Sequence, residues 1–219
     1  MSVSNLHLTI DVKKYMSILY VFAFFFIIAH ASLYFYHYHF ESLPRLLLQM
    51  FDLDQENNLP TWFSGFILLN VAFFLFAYSR TENLEKKPYW LILSVGFLAL
   101  AIDEVAGIHE TINSVTDINW AIPAGILLFV LAAAFVPFLF SLRRGLALLF
   151  LLSGLMYVSG AIVVELASEH NNSDSMVYKM HVAIEEALEM LGVLLFLAVN
   201  LNEFSEDKPL HVDLSVKEN

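Results

Sequence analysis

Six apolar runs, each long enough to cross a bilayer as a helix, divide this chain, and three of them carry acids and histidines where lipid demands hydrocarbon. The polar intruders are Asp103, Glu104, His109 and Glu110 in the third run, Glu165, Glu169 and His170 at the end of the fifth, and His181, Glu185, Glu186 and Glu189 in the sixth. Eight carboxylates thus have only Lys179 nearby to offset them. The fold has to hold them with a cation, a proton or water.

Hydrophobic residues make up 58% of the sequence and the mean hydropathy is +0.66, which puts the chain in the membrane class. A crossing takes about 20 apolar residues. The runs predict spans at 15–36, 61–78, 89–110, 120–142, 145–166 and 177–201, followed by a polar tail at 202–219. The connections are too short for a second domain, so the expectation is one all-α transmembrane domain over 1–219, a polytopic bundle of six helices. Lys13 and Lys14 before the first run, with Ala29-His30-Ala31 inside it, also fit a cleavable secretory signal. Because the run continues through Leu33, Tyr34, Phe35 and Tyr36, a full span is the better fit.

Basic residues alternate in register with the spans. Lys13, Lys14, Arg80, Lys86, Lys87, Arg143, Arg144, Lys208 and Lys217 fall on one side, and only Arg45 and Lys179 on the other. The positive-inside rule then makes both termini cytoplasmic and turns the acid clusters outward. The net charge of −11 and the lack of a basic stripe exclude a nucleic-acid partner. With no cysteine, disulfides, thiolate ligands and thiol nucleophiles are excluded too.

Helical geometry groups the intruders further. On a continuous third helix Asp103 and Glu110, seven apart, share a line, with Gly107 between them allowing close approach of a neighbour. His181, Glu185 and Glu189 form a stripe at spacing four, and Glu165 shares a face with Glu169. Asp103, Glu185 and Glu189 are expected roughly 12 to 20 Å below the outer surface and the others nearer the rim, as in an outward-opening cleft.

Imidazole mixed with carboxylate is the ligand set of a divalent metal such as zinc, iron or manganese. The expected ligands are Asp103, His109, His181 and Glu185, with Glu165 as a further ligand or support, and Glu110 or Glu189 serves as general base. Shared protons or a wet vestibule are the other ways to keep the acids. The spacing matches neither H-E-x-x-H nor the paired E-x-x-H helices of di-iron bundles. Acids beside every candidate histidine argue against a haem.

Among the remaining features, His30 in the first run reads as a hydrogen-bonded packing residue, and His37 and His39 belong to an outer aromatic belt. The loop at 43–60 combines a short amphipathic stretch with Asp52, Asp54 and Glu56, and is expected to lie as a lid over the cleft. Its acids lack the central glycine and distal glutamate of a calcium loop, so they read as solvated. An inverted repeat of three spans would send the third and sixth clusters to opposite faces and is excluded.

The segments Asp103-Glu104-Val105-Ala106-Gly107-Ile108-His109-Glu110, Glu185-Glu186-Ala187-Leu188-Glu189 and Leu59-Pro60-Thr61-Trp62-Phe63-Ser64 together resemble a group of uncharacterised bacterial multi-pass inner-membrane proteins. The resemblance implies a bacterial inner membrane and brings no established activity. From the residues, a metal-dependent hydrolase acting on a lipid-linked or amphiphilic substrate leads, and a di-iron redox variant stays open. The alternatives are a transporter or binding protein for a proton, a cation or a cationic small molecule, and a sensor or assembly subunit without catalysis. Oligomeric state has no signature in the sequence.

Overall fold

The computed structural model describes residues 3–80, 85–116, 119–168, 171–205 and 210–217. Glu169 and His170 lie outside the described residues. In chain order the elements are β1 (Val3–Ile10), α1 (Val12–His39), α2 (Arg45–Phe51), α3 (Leu59–Ser79), α4 (Lys87–Ala106), α5 (Ile108–Val115), α6 (Ala121–Ser141), α7 (Arg144–Val158), a π-helical turn (Ser159–Val164), α8 (Glu165–Ser168), α9 (Met176–Ser205) and β2 (Leu210–Lys217). The bundle is all-α, as expected. Part of the polar tail is not left as coil: β2 pairs antiparallel with β1, Val3 opposite Lys217 and Ile10 opposite Leu210, so the two ends of the chain meet.

Among the described residues, five helical segments are long and apolar enough to cross a membrane: Val12–His39, Leu59–Ser79, Lys87–Ala106, Ala121–Ser141 and Arg144–Ser168. α9, in place of the sixth run, is 30 residues long and forms the axis of the bundle, flanked by α1, α3 and α7. Its Leu194, Leu197 and Leu201 are fully buried, whereas Phe129 and Phe140 of α6 are 77% and 86% exposed. Apolar surface outside as well as inside is what a bundle solvated by lipid requires. Two glycines let α9 come close to its neighbour: a Cβ on Gly160 would sit 2.6 Å from the Glu185 carbonyl oxygen, and one on Gly192 2.9 Å from that of Ser153.

Aromatic rings tie one end of the bundle together. Tyr78 stacks on Phe204 at 3.9 Å, and Trp90 meets Tyr78 and Phe138 edge-on at 4.9 and 5.0 Å. Arg80, Lys86, Arg143 and Arg144 lie at this basic end.

A polar network ties the opposite end, here called the mouth. Lys179 Nζ of α9 reaches Asp52 Oδ2 at 3.0 Å and Asp54 Oδ2 at 2.9 Å. Tyr34 and Tyr178 donate their hydroxyls to the same two carboxylates, at 2.5 and 2.8 Å. Buried His30 donates Nε2–H to the Lys179 carbonyl and accepts the Leu53 N–H at Nδ1, both at 2.9 Å, which fixes its tautomer. The packing role expected of His30 is therefore what it has. The acidic loop differs from expectation: Asp52 is buried, not solvated, because Lys179 and two phenols replace its water.

A further expectation fails. The third run does not continue to residue 110, because Gly107 adopts a left-handed conformation (φ 59°, ψ 41°) that ends α4 and starts α5 at a new angle. The fifth run is interrupted by its π-turn.

Removing the Lys179 charge should leave Asp52 and Asp54 facing each other in a buried site, a loss of about 3–5 kcal/mol. Lys179→Met should therefore lower the melting temperature and open the loop after α2 to protease. The triple change with Asp52→Asn and Asp54→Asn should recover much of the loss, and equal proteolysis of wild type and Lys179→Met would refute the anchoring role.

Candidate metal centre at the mouth

The break at Gly107 builds the site. Asp103, in the last turn of α4, accepts the His109 backbone N–H on Oδ1 at 3.0 Å and the imidazole Nδ1–H on Oδ2 at 2.9 Å. The proton is thereby held on Nδ1, leaving the Nε2 lone pair for a ligand. Trp120 packs against the ring at 5.0 Å between centroids.

Opposite stands Glu56, carried in by the anchored loop. Asn58 shapes the turn by capping α3 through Thr61 N at 3.2 Å and by donating to the Gln49 carbonyl at 2.9 Å, and Asn57 takes a positive φ of 61°. The Glu56 carboxylate lies directly over Gly107, where any side chain would collide with it. Its Oε1 is buried and has no hydrogen-bond partner among the described residues. Glu56, His109 and Glu110 each offer a ligand atom, and these atoms all lie within 4.8 Å of one another.

Further acids face this trio from α8 and α9. Glu185 is within electrostatic reach of Glu165, Asp54 and His109, and Glu110 of Glu56, His109, Asp54 and Glu165. A deeper group follows, in which Glu104, Glu186 and Glu189 lie within electrostatic reach of one another, with Ser64 close to Glu104 and Tyr157 close to Glu189. Lys179 does not offset these glutamates, since Asp52 and Asp54 occupy its ammonium.

The placements revise the expected ligand set. His109 and Glu110 meet, though Glu110 stands among the ligand atoms and not apart as a base. Asp103 orients His109 with both oxygens engaged. Glu185 and Glu165 face the trio without joining it, and Glu189 lies in the deeper group. His181 is not brought in: its Nδ1 turns back to the Val177 carbonyl at 2.8 Å, and the ring lines a lateral recess with Phe35, His39 and Met180. Glu56 and Tyr157 had no place in the sequence-derived site. Glu56 sits amid Asp52 and Asp54, which resemble a solvated run until the loop is seen to fold inward, and Tyr157 is one aromatic among many.

These features define a polytopic helical membrane protein with an acid-lined mouth. The chain belongs to the family described as Domain of unknown function (DUF8692), whose model matches residues 18–202. No curated protein and no solved structure matches it.

α5 lies beyond the spans, and there two groups are shifted. Burial depresses the His109 imidazole, but the Asp103 hydrogen bond and the charges of Asp103, Glu110 and Glu104 outweigh it and raise the group above its ordinary 6.5. Burial, with the Glu56 charge beside it, raises Glu110 above 4.5. Both groups bind protons more tightly folded than unfolded. Their stabilising contribution is complete below the unfolded values and is lost as pH rises through the raised ones. Chelator-treated protein should therefore melt at lower temperature as pH rises from about 5 to about 8. Replacing both groups, Glu110→Gln with His109→Gln, should flatten that slope, and a slope unchanged by the pair would show that other groups set it.

Proposed function

We propose that this is a six-span protein of the bacterial inner membrane, both termini cytoplasmic, that binds a divalent metal at an outward-facing mouth and uses it to hydrolyse a lipid-linked or amphiphilic substrate. The observation carrying the reading is the pairing of Asp103 with His109 Nδ1, which leaves Nε2 unprotonated, on a residue with a ring nitrogen within 4.8 Å of ligand atoms of Glu56 and Glu110. One imidazole and two carboxylates suit zinc, iron or manganese, and leave positions open for water and substrate. A metal there would lower the pKa of a bound water to about 7. Glu185, within electrostatic reach of His109, is the side chain to which we assign acceptance of that water's proton. The apolar flanks of the bundle favour a substrate that arrives from the bilayer.

A second reading, a proton- or cation-coupled transporter, draws on the π-turn at Ser159–Val164 and the glutamate layer beneath the mouth. Metal analysis separates the two. Gently purified protein should carry zinc, iron or manganese in about one-to-one ratio and lose thermal stability on chelation. Glu56→Gln and His109→Ala should abolish binding, Asp103→Asn should weaken it about 10- to 100-fold, and His181→Ala should leave it unchanged. Metal-free protein indifferent to chelator would discard the metal and leave the transporter reading.

Topology is open to a separate test. The meeting of β1 with β2 and the basic end opposite the mouth support termini on the cytoplasmic side. A reporter active only outside the cytoplasm should be silent after Asn219 and active when inserted near Asn171, and the reverse pattern would turn the mouth inward.

A further inference from the structure

The lateral recess that the His181 ring lines lies between the last turn of α1 and the first turns of α9, and has a volume of about 410 Å³. Tyr38 joins its two walls by donating its hydroxyl to the Asp174 carbonyl, just ahead of α9, at 2.5 Å. On α9, at about 100° per residue, Met176, Met180 and His181 fall within one arc of roughly 140°. All three line the recess, and His39 of α1 lines it from the other wall. Lys179 belongs to a different side of α9, where Asp52 and Asp54 take its ammonium.

Two contacts fix which nitrogen of each imidazole is open. His181 Nδ1 lies 2.8 Å from the Val177 carbonyl oxygen, and His39 Nδ1 lies 3.0 Å from that of Phe35. A carbonyl oxygen only accepts, so each Nδ1 carries the proton and each Nε2 keeps a lone pair. Phe35 stacks on the His39 ring at 4.4 Å between centroids and holds its plane. The two methionine sulfurs add soft lone pairs on flexible side chains, which can turn toward a shared centre. Among the described residues, no carboxylate lines the recess.

This donor set is unlike that of the mouth. Thioether sulfur selects copper(I) and imidazole accepts it, whereas carboxylates suit harder divalent ions. Charge points the same way: four neutral ligands leave the ion's whole charge on the site, and a single charge costs less than a double one beside Phe35 and Ile184. We propose that the recess binds copper(I) through Nε2 of His39 and His181 and the sulfurs of Met176 and Met180. The ion then bridges the end of α1 and the start of α9. The site shares no residue with the trio of Glu56, His109 and Glu110.

The test titrates the full chain in detergent, under ascorbate, with copper(I) in competition with the coloured chelator bicinchoninate. Wild type should withhold about one copper(I) per chain from the chelator, and excess zinc should not displace it. Met176→Leu and Met180→Leu conserve volume and remove the sulfur. Each should weaken copper(I) binding by about 10-fold or more, at least the loss that removing an outer-shell partner causes. His109→Ala at the mouth should bind copper(I) as wild type does. Loss of copper(I) in His109→Ala with wild-type binding in the leucine variants would overturn the proposal by placing the ion at the trio. Displacement by zinc would overturn the soft-ligand assignment. A wild type that cannot compete with the chelator would overturn the site and leave the recess to lipid chains. If the leucine variants do not fold, His39→Ala at the exposed end of α1 decides, and wild-type affinity in that variant would overturn the proposal.

Discussion

Lys179 decides the shape of the mouth. An ammonium buried in an apolar bundle is tolerated only when paired, and here Asp52 and Asp54 from the loop after α2 supply the pairing at 3.0 and 2.9 Å. The phenols of Tyr34 and Tyr178 and the imidazole of His30 satisfy what remains of the donors and acceptors around it. Because every member has its partners, the loop is held to α1 and α9 instead of lying on the membrane surface. Glu56 follows Asp54 by two residues and is thereby delivered over Gly107. One buried ion pair thus connects packing in the first and last helices to the ligand atoms of the candidate site.

The same pairing removes the cation that the glutamates would otherwise share. Glu104 and Glu185 have His109 within electrostatic reach, whereas the charges acting most strongly on Glu186 and Glu189 are those of other carboxylates. Like charges at this density need a counter-charge or protons. Under the proposed metal reading, a divalent ion at the trio would supply the former for the upper layer.

The helices were legible in the sequence because their apolar runs are long, and five of the described helical segments are long and apolar enough to cross a membrane. Among the described residues, acids of the third, fifth and sixth runs lie within electrostatic reach of one another, at the end opposite Arg80, Lys86, Arg143 and Arg144. Individual ligands were not legible. Helical spacing places His181 and Glu185 on one stripe, yet the His181 ring turns to its own Val177 carbonyl and a lateral recess. A line through Asp103 and Glu110 presumes a continuous helix, and Gly107 was read as a packing glycine when it is a left-handed cap. Glu56 was hidden for a different reason: a loop residue's position depends on tertiary anchors, here Lys179 and His30, that no local pattern encodes.

That cap also explains why Asp103 supports the site without joining it. In a straight helix, Asp103 and His109 would lie about 120° apart around the axis and could not meet. The turn at Gly107 folds α5 back so that a single carboxylate takes both the backbone N–H and the Nδ1–H of His109. Binding the backbone stabilises the start of α5, and binding the ring selects its tautomer, so one residue sets both the position and the protonation of the candidate ligand. Glu56 presses on the same glycine from the opposite side, in space that no other residue type leaves open. The site therefore rests on a backbone conformation, and a side chain at position 107 would disturb it even with every acid and histidine in place.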